Sequence, residues 1–299
     1  MKFVLIGSVI SSECALKIMI EKNIDIEMVF SLDEEYSKNV STYRPIHKLA
    51  EANNISFKKF KNINDPENVE ILRKINPDYI FVIGLSQLVR EEIFKCAKKG
   101  VIGYHPAPLP KFRGRAAIVW QMLLGIRKSA STLFFIDDGI DSGDIICQQE
   151  YIIEENDYAE DVLEKCKSAA LEAISKGIDL LLDENFKPVK QKEEEATYLL
   201  KRTPEDGRIN WSDSGENILR LIRATSKPYP GAFSQYENKN KVIFWRAEFV
   251  PTDKYFGFNG QIVSSAEESL EILCPGGILK VSEYSNVDGI KLVVGHKFI

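Results

Sequence analysis

No stretch of this chain approaches the roughly 20 consecutive apolar residues that cross a bilayer, so a helical membrane span is excluded. A secretion signal is not expected either. In MKFVLIGSVISSECALKIMI, Gly7 and Ser8 interrupt the apolar run after Lys2, and Glu13 and Lys17 follow. A buried first strand running into a helix explains that pattern better. The five cysteines (Cys14, Cys96, Cys147, Cys166, Cys274) are scattered, odd in number and form no CxxC pair. Reduced thiols in a cytoplasmic protein are the plain reading. Basic residues form no block, the formal charge is -5 and the pI is about 5.5. That balance argues against a nucleic-acid partner held mainly through its phosphates. Gly7 to Ser12 lacks the GxGxxG pattern, so no nicotinamide cofactor is expected. The acidic run Asp137 to Asp144 lacks EF-hand spacing and a closing Glu, so no metal is expected. No internal repeat or low-complexity tract is present.

What is present suits a globular protein. A chain of 299 residues, 44% hydrophobic and 28% charged, has the make-up of one large globular domain or two modest ones. Its first half alternates strand and helix signals. Strands are expected at Lys2–Gly7, Ile26–Phe30, Ile55–Phe57, Tyr79–Ile83, Val101–Tyr104 and Ser131–Ile136. Helices are expected at Ser12–Lys22 (capped by Ser11 or Ser12), Pro45–Asn53, Pro66–Ile75, Ala116–Leu124 and Asp157–Leu182, the last broken near Gly177. This rhythm predicts βαβ units and a mostly parallel, Rossmann-like sheet, covered on both faces because its strands are apolar throughout. Lys187–Glu195 is charged and lacks an apolar face, which reads as a linker or exposed strand.

After a helix near Glu216–Thr225 come short strands at Val242–Phe249, Gly260–Val263, Leu270–Leu273, Ile278–Val281 and Ile290–Val294. Turn chemistry is clear at Pro275-Gly276-Gly277 and Asp288-Gly289. The expected architecture is α/β: residues 1–188 form a Rossmann-like domain. Residues 189–207 form a linker, and 208–299 a small OB-like β-barrel.

Three segments carry the chemistry. His105 opens HPAPLPKFRGR directly after a strand, at the edge where open α/β sheets bind ligands. Pro106, Pro108 and Pro110 fix φ and stiffen the loop that holds it. Asp141 lies in DDGIDSGDII, a Gly-flanked turn after another strand. An Asp beside a His fixes the imidazole tautomer and favours its charged form, so the two suit an acid/base pair. The third segment is KRTPEDG at the junction of the halves. Taken singly, each aspartate of the acidic run also suits a turn, and a single His after a strand also suits a packed polar residue.

The combination closely resembles the 10-formyltetrahydrofolate-dependent formyltransferase family. The likeness covers nearly the whole chain. It includes NPDYIFVIGLSQLV before the proline loop, and KRTPEDGRINW and RATSKPYPGAF after it. The family uses an Asn, a His and an Asp, and the resemblance assigns the last two roles to His105 and Asp141 as catalytic residues. The Asn position, two before the His, is Gly103 here. Loss of one oxyanion donor costs about 10²–10³ in rate elsewhere. Either another group replaces it, or His105 holds the oxyanion. The resemblance further implies 10-formyltetrahydrofolate as co-substrate. Gly84, Leu85, Ser86 and Val89 would line its pterin pocket, with Asp138 opposite. Core packing is an equal alternative for Leu85 and Val89.

Within the family, RGRAAIVWQ and KRTPEDGRINW are most similar to the aminoarabinose-type sugar N-formyltransferases. The expected substrate is therefore a nucleotide-linked amino sugar, a small-molecule partner of polysaccharide biosynthesis. Arg115 and Arg202 are candidates for its phosphates, since a guanidinium presents a fork of donors. Ordinary ion pairs are the alternative. Tyr43 and Arg44 would border the sugar. The family implies a homodimer. Methionyl-tRNA formyltransferase is the runner-up. A 10-formyltetrahydrofolate hydrolase is disfavoured, because this chain starts at its first strand without a preceding domain.

Overall fold

The computed structural model spans residues 1–299 and describes all of them except Asn39, Ser41, Ser86, Asn238, Glu267, Glu268, Val287 and Asp288. The chain forms two compact units. The first comprises Met1–Gly114, Ser129–Tyr151 and Lys165–Tyr198; the second comprises Arg115–Lys128, Ile152–Glu164 and Leu199–Ile299.

In chain order the first strands are β1 (Phe3–Gly7), β2 (Ile26–Leu32), β3 (Phe57–Phe60), β4 (Tyr79–Ile83) and β5 (Gly100–His105). They are followed by β6 (Arg113–Gly114), β7 (Lys128–Phe135), β8 (Ile145–Ile152) and β9 (Tyr198–Leu199). Seven of them build one sheet in the order β3-β2-β1-β4-β5-β7-β8. β1 pairs in parallel with β2 and β4, β2 with β3, and β4 with β5; β7 runs antiparallel to β5. The mostly parallel sheet is thus as expected.

Strand alternation sends Phe3, Leu5, Phe81 and Ile83 to one face, and Val4, Ile6 and Ile80 to the other. Helices α1 (Ile10–Glu21), α2 (Ile46–Ala52) and α6 (Ala159–Leu182) cover the first face through Leu16, Met19, Ile46, Ile174 and Ile178. Helices α3 (Pro66–Ile75) and α4 (Glu91–Phe94) cover the second through Val69, Leu72 and Ile93. α3 begins on Pro66 and ends on Asn76 with φ 50°, a left-handed stop.

Several local expectations are corrected. The cap of α1 is Val9, not Ser11 or Ser12; the Ser12 hydroxyl instead accepts the Ser8 and Val9 amides and donates to Ile83 O at 2.5 Å. α6 runs unbroken through Gly177. That glycine is there for packing: a Cβ would lie 2.3 Å from Leu133 Cδ2. β8 is an additional strand that the apolar pattern did not single out.

The second unit contains α5 (Ala117–Leu123) and α7 (Gly215–Thr225), with Ser214 Oγ capping α7 by accepting the Asn217 amide at 3.2 Å. Its strands β10 (Ala232–Tyr236), β11 (Asn240–Pro251), β12 (Ile262–Ser265), β13 (Leu270–Cys274) and β14 (Gly277–Asn286) form an antiparallel sheet, ordered β10-β11-β14-β13-β12. Ile290–Val294 is not a strand. Pairing falls further on: Lys297 bridges Gln261 beside β12, and Phe298 bridges Tyr236 in β10, which joins the two sheet edges. Phe298 is buried against Trp211, Tyr236 and Phe244, so the aromatic core holds that closing segment. Asp288, in the second expected turn, lies outside the described residues.

Candidate active site

β1 is flanked by β2 on one side and β4 on the other, so the chain reverses its winding there. Such a switch opens a crevice at the carboxyl ends of the strands. Gly84 sits at that point, immediately after β4, with φ +64°. A Cβ on it would meet Val9, Ser11 and Ser12 at 2.2–2.9 Å, so only glycine permits this approach of the two loops. Leu85 is partly buried against the core and Val89 is buried within it. Ser86 lies outside the described residues.

The 42–44 segment lies along the same loop. Val9 bridges Tyr43, and the Arg44 amide donates to Ser8 O at 2.8 Å. The Tyr43 hydroxyl donates to Leu32 O at 2.9 Å. Burial, together with Glu34 and Asp33, pushes its pKa up to about 12. Arg44 Nε lies 3.4 Å from Glu13 Oε2, an ion pair.

His105 ends β5 and is 5% exposed. The proline loop that follows is tied down at two points. Thr132 Oγ1 donates to Ala107 O at 2.6 Å, and Gln148 Nε2 donates to Leu109 O at 2.7 Å. The ring of His105 is held between two oxygens. Nε2 is 2.7 Å from Phe112 O, which can only accept, so Nε2 carries a proton. Nδ1 faces Asp141 Oδ2 at 3.5 Å. That contact is longer than a good hydrogen bond. The structure therefore brings the two expected residues together.

Asp141 has φ 50°, in the left-handed region. Its Oδ2 accepts the Gly114 amide at 2.8 Å, while Oδ1 has no partner among the described residues. Asp137 forms the turn, accepting from the Gly139 amide and the Ser142 hydroxyl. Asp138 is exposed on the same loop.

Gly103 lies on β5, and a Cβ there would sit 2.9 Å from Ile136 Cγ1 and 3.1 Å from Phe134 Cε1. Ile136 and Phe134 thus occupy the room that an asparagine at this position would take.

Two supporting residues escaped the sequence reading. Arg113 is 1% exposed, a fully buried arginine. Its Nη1 pairs with Glu193 at 2.9 Å and donates to the Tyr198 hydroxyl at 3.0 Å. Its Nε and Nη2 donate to Gln191 Oε1 at 3.1 and 2.9 Å. Gln191 Nε2 in turn donates to Asp141 O at 2.8 Å and Gly143 O at 2.7 Å. Lys187–Glu195 has no periodicity that could have revealed this.

Arg115 and Arg202 belong to the second unit. There the Arg115 amide donates to Leu199 O at 3.4 Å, and Trp120 Nε1 donates to Leu200 O at 2.9 Å. The Arg202 guanidinium lies 4.9 Å from the Trp120 ring centroid and donates to Asp206 O at 2.7 Å. Burial lowers its pKa, against the pull of Asp206. The Arg115 side chain is exposed and has no acceptor among the described residues.

With this geometry in view, the kinship of the chain is clear. Residues 7–178 match the formyl transferase family, and residues 201–293 match the formyl transferase C-terminal domain. The chain belongs to the formyl transferase family and is an enzyme of formyl-group transfer. One relative, the methionyl-tRNA formyltransferase of Caldanaerobacter subterraneus subsp. tengcongensis, is 30% identical over 306 residues, 99% of this chain and 97% of that protein. The bifunctional polymyxin resistance protein ArnA of Wigglesworthia glossinidia brevipalpis is 32% identical over 246 residues, 80% of this chain. The chain spans only 37% of ArnA. Among solved structures, the N-formyltransferase of Helicobacter canadensis, in complex with folinic acid and dTDP-3-aminofucose, shares the fold. Its TM-score is 0.72 at 20% identity, with 95% of this chain and 100% of that one covered.

Proposed function

We propose that the enzyme transfers the formyl group of 10-formyltetrahydrofolate to the amine of a nucleotide-linked amino sugar. The observation that carries the sugar reading is the framework around Trp120 in a chain of net charge -5. Arg202 is held on it by stacking and by its bond to Asp206 O, and the exposed Arg115 is anchored beside it through its backbone amide; two discrete guanidinium donors suit a small diphosphate better than a long polyanion. The acceptor named for the Helicobacter protein, a dTDP-linked aminosugar, is of this class. The same reading gives 1–188 the catalytic role, together with 191–198, which packs into the first unit and is not linker, and leaves 208–299 as an accessory barrel. It places the enzyme in the cytoplasm, in polysaccharide biosynthesis.

The donor supplies the formyl carbon, to be attacked by a neutral amine. Gly84, Leu85 and Val89, beside the switch-point crevice, are the residues assigned to its pterin, with Asp138 across from them. Of the two His105 contacts, the one to Asp141 is the longer, so in the doubly protonated ring, with Nε2–H kept by Phe112 O, Nδ1–H is the donor available to the developing oxyanion. Asp141 Oδ2 stays pinned by Gly114, which leaves Oδ1 to receive the amine proton. The tetrahedral intermediate then collapses with cleavage of the bond between the formyl carbon and N10, and that proton passes to N10 of the departing tetrahydrofolate.

The test is a panel of nucleotide-linked 3-amino and 4-amino hexoses assayed with 10-formyltetrahydrofolate, beside charged initiator tRNA. A silent sugar panel with formylated tRNA would overturn the reading. Methionyl-tRNA formyltransferase would then take its place, the reading that the 30% identical relative favours.

A further inference from the structure

We propose that Gln191 is a positioning residue for Asp141, locked in place by the buried Arg113, and that the 191–198 segment braces both members of the acid/base pair. This inference rests on the assignment of His105 and Asp141 as that pair.

The argument starts from strain. Asp141 is held with φ 50°, where a non-glycine residue stays only if its surroundings insist. Its carboxylate has one anchor, the Gly114 amide. Its backbone is held by Gln191, whose amide nitrogen spends its two protons on Asp141 O and Gly143 O. The same turn is thus gripped on both sides of its left-handed residue.

The grip works only with the amide one way round. A flipped Gln191 would turn its oxygen toward two carbonyls. Arg113 forbids that flip, because its Nε and Nη2 fork both point at Gln191 Oε1. Glu193 and Tyr198 hold the far end of the guanidinium. A neutral donor alone would not set the amide so firmly; a buried, always charged, planar fork does.

The same segment reaches His105. The Phe112 amide donates to Thr197 Oγ1 at 2.8 Å, and the Arg113 amide donates to Thr197 O at 2.9 Å. Residues 112–114 are thereby fixed from the 191–198 side. From that short stretch, Phe112 O receives His105 Nε2 and the Gly114 amide reaches Asp141. One strap therefore sets the distance between the ring and the carboxylate.

The experiment is a double-mutant cycle with Gln191→Glu and Asp141→Asn, run on whichever acceptor the wild-type enzyme formylates. Glutamate keeps the acceptor for Arg113 but sets a carboxylate oxygen against the two carbonyls. Alone it lowers kcat about 10–100-fold, because small misplacements of a reacting group cost that much. The KM for the formyl donor stays within about threefold, since the brace does not bind it. In the Asp141→Asn background the same change costs less than twofold, because the group it positions is already gone. Arg113→Lys, which keeps the charge and loses the fork, gives the same pattern more weakly and carries the cycle if Gln191→Glu does not fold. Equal losses in both backgrounds, or unchanged kcat in folded single variants, would overturn the brace. Near-wild-type turnover of Asp141→Asn would instead sink the pair itself, and a silent sugar panel leaves this test untouched.

Discussion

Asp141→Asn isolates charge from shape. Asparagine tolerates the left-handed region, so the φ of 50° costs little to keep. Its side-chain oxygen can still accept the Gly114 amide, now 2.8 Å from a carboxylate oxygen. What is lost there is the charge assistance of one hydrogen bond, about 1 kcal/mol. That corresponds to no more than about 2–4 °C in Tm. Asp141→Ala loses more, because it strands the Gly114 amide and adds roughly 1–2 kcal/mol of backbone strain. Activity should behave oppositely to stability. Without a carboxylate there is no acceptor for the amine proton, and turnover falls about 10²–10⁴-fold. The assay is mass detection of formylated product under saturating donor and acceptor, beside a thermal melt. Asp141→Asn turning over within about tenfold of wild type, with its fold intact, would refute the acid/base assignment.

Arg202→Lys should raise the apparent KM for the amino sugar more than that for the donor, because lysine lacks the fork and stacks poorly on Trp120; equal rises would count against a phosphate role. His296→Ala should leave turnover near wild type. That ring is half exposed, stacks on Tyr236, and stands beside Glu237. A large loss in a folded variant would show the site to be elsewhere. His47 is 4% exposed, and burial lowers its pKa despite the nearby Glu34. The unfolded chain therefore takes up a proton near pH 6.5 before the folded one does. Stability is full above that pH and falls as the pH drops below it. His47→Gln should lose less Tm than wild type between pH 7 and pH 5.5; an equal loss would contradict the linkage.

The parallel sheet was legible because its strands are apolar on both faces, as in FVLIG and YIFVI, and because Pro66 and Asn76-Pro77 punctuate α3 sharply. His105 and Asp141 were legible through motifs on either side of strands. β8 was not, since IICQQEYI mixes apolar and polar residues without a clean period. The closing of the barrel was misplaced: Ile290–Val294 has the composition of a strand, while the pairing depends on where Phe298 finds its aromatic pocket. Gln191 was illegible for a deeper reason. Its importance comes from two carbonyls and a guanidinium far away in sequence, and no local pattern encodes them.

The second unit draws on three separate stretches of chain, 115–128, 152–164 and 199–299. Within it Tyr158 is buried in the barrel-side core, and its hydroxyl donates to Ala247 O and accepts the Ala247 amide. A gene cut anywhere between codons 188 and 208 would therefore strand two of those stretches on the wrong fragment. The downstream piece, expressed alone, would expose the face that Tyr158 covers and tend to aggregate. Co-expression of the two fragments should restore solubility only when the upstream piece carries residues 115–128 and 152–164. In a recombination experiment, crossovers at that junction between distant relatives would be poorly tolerated, although the boundary looks like a linker.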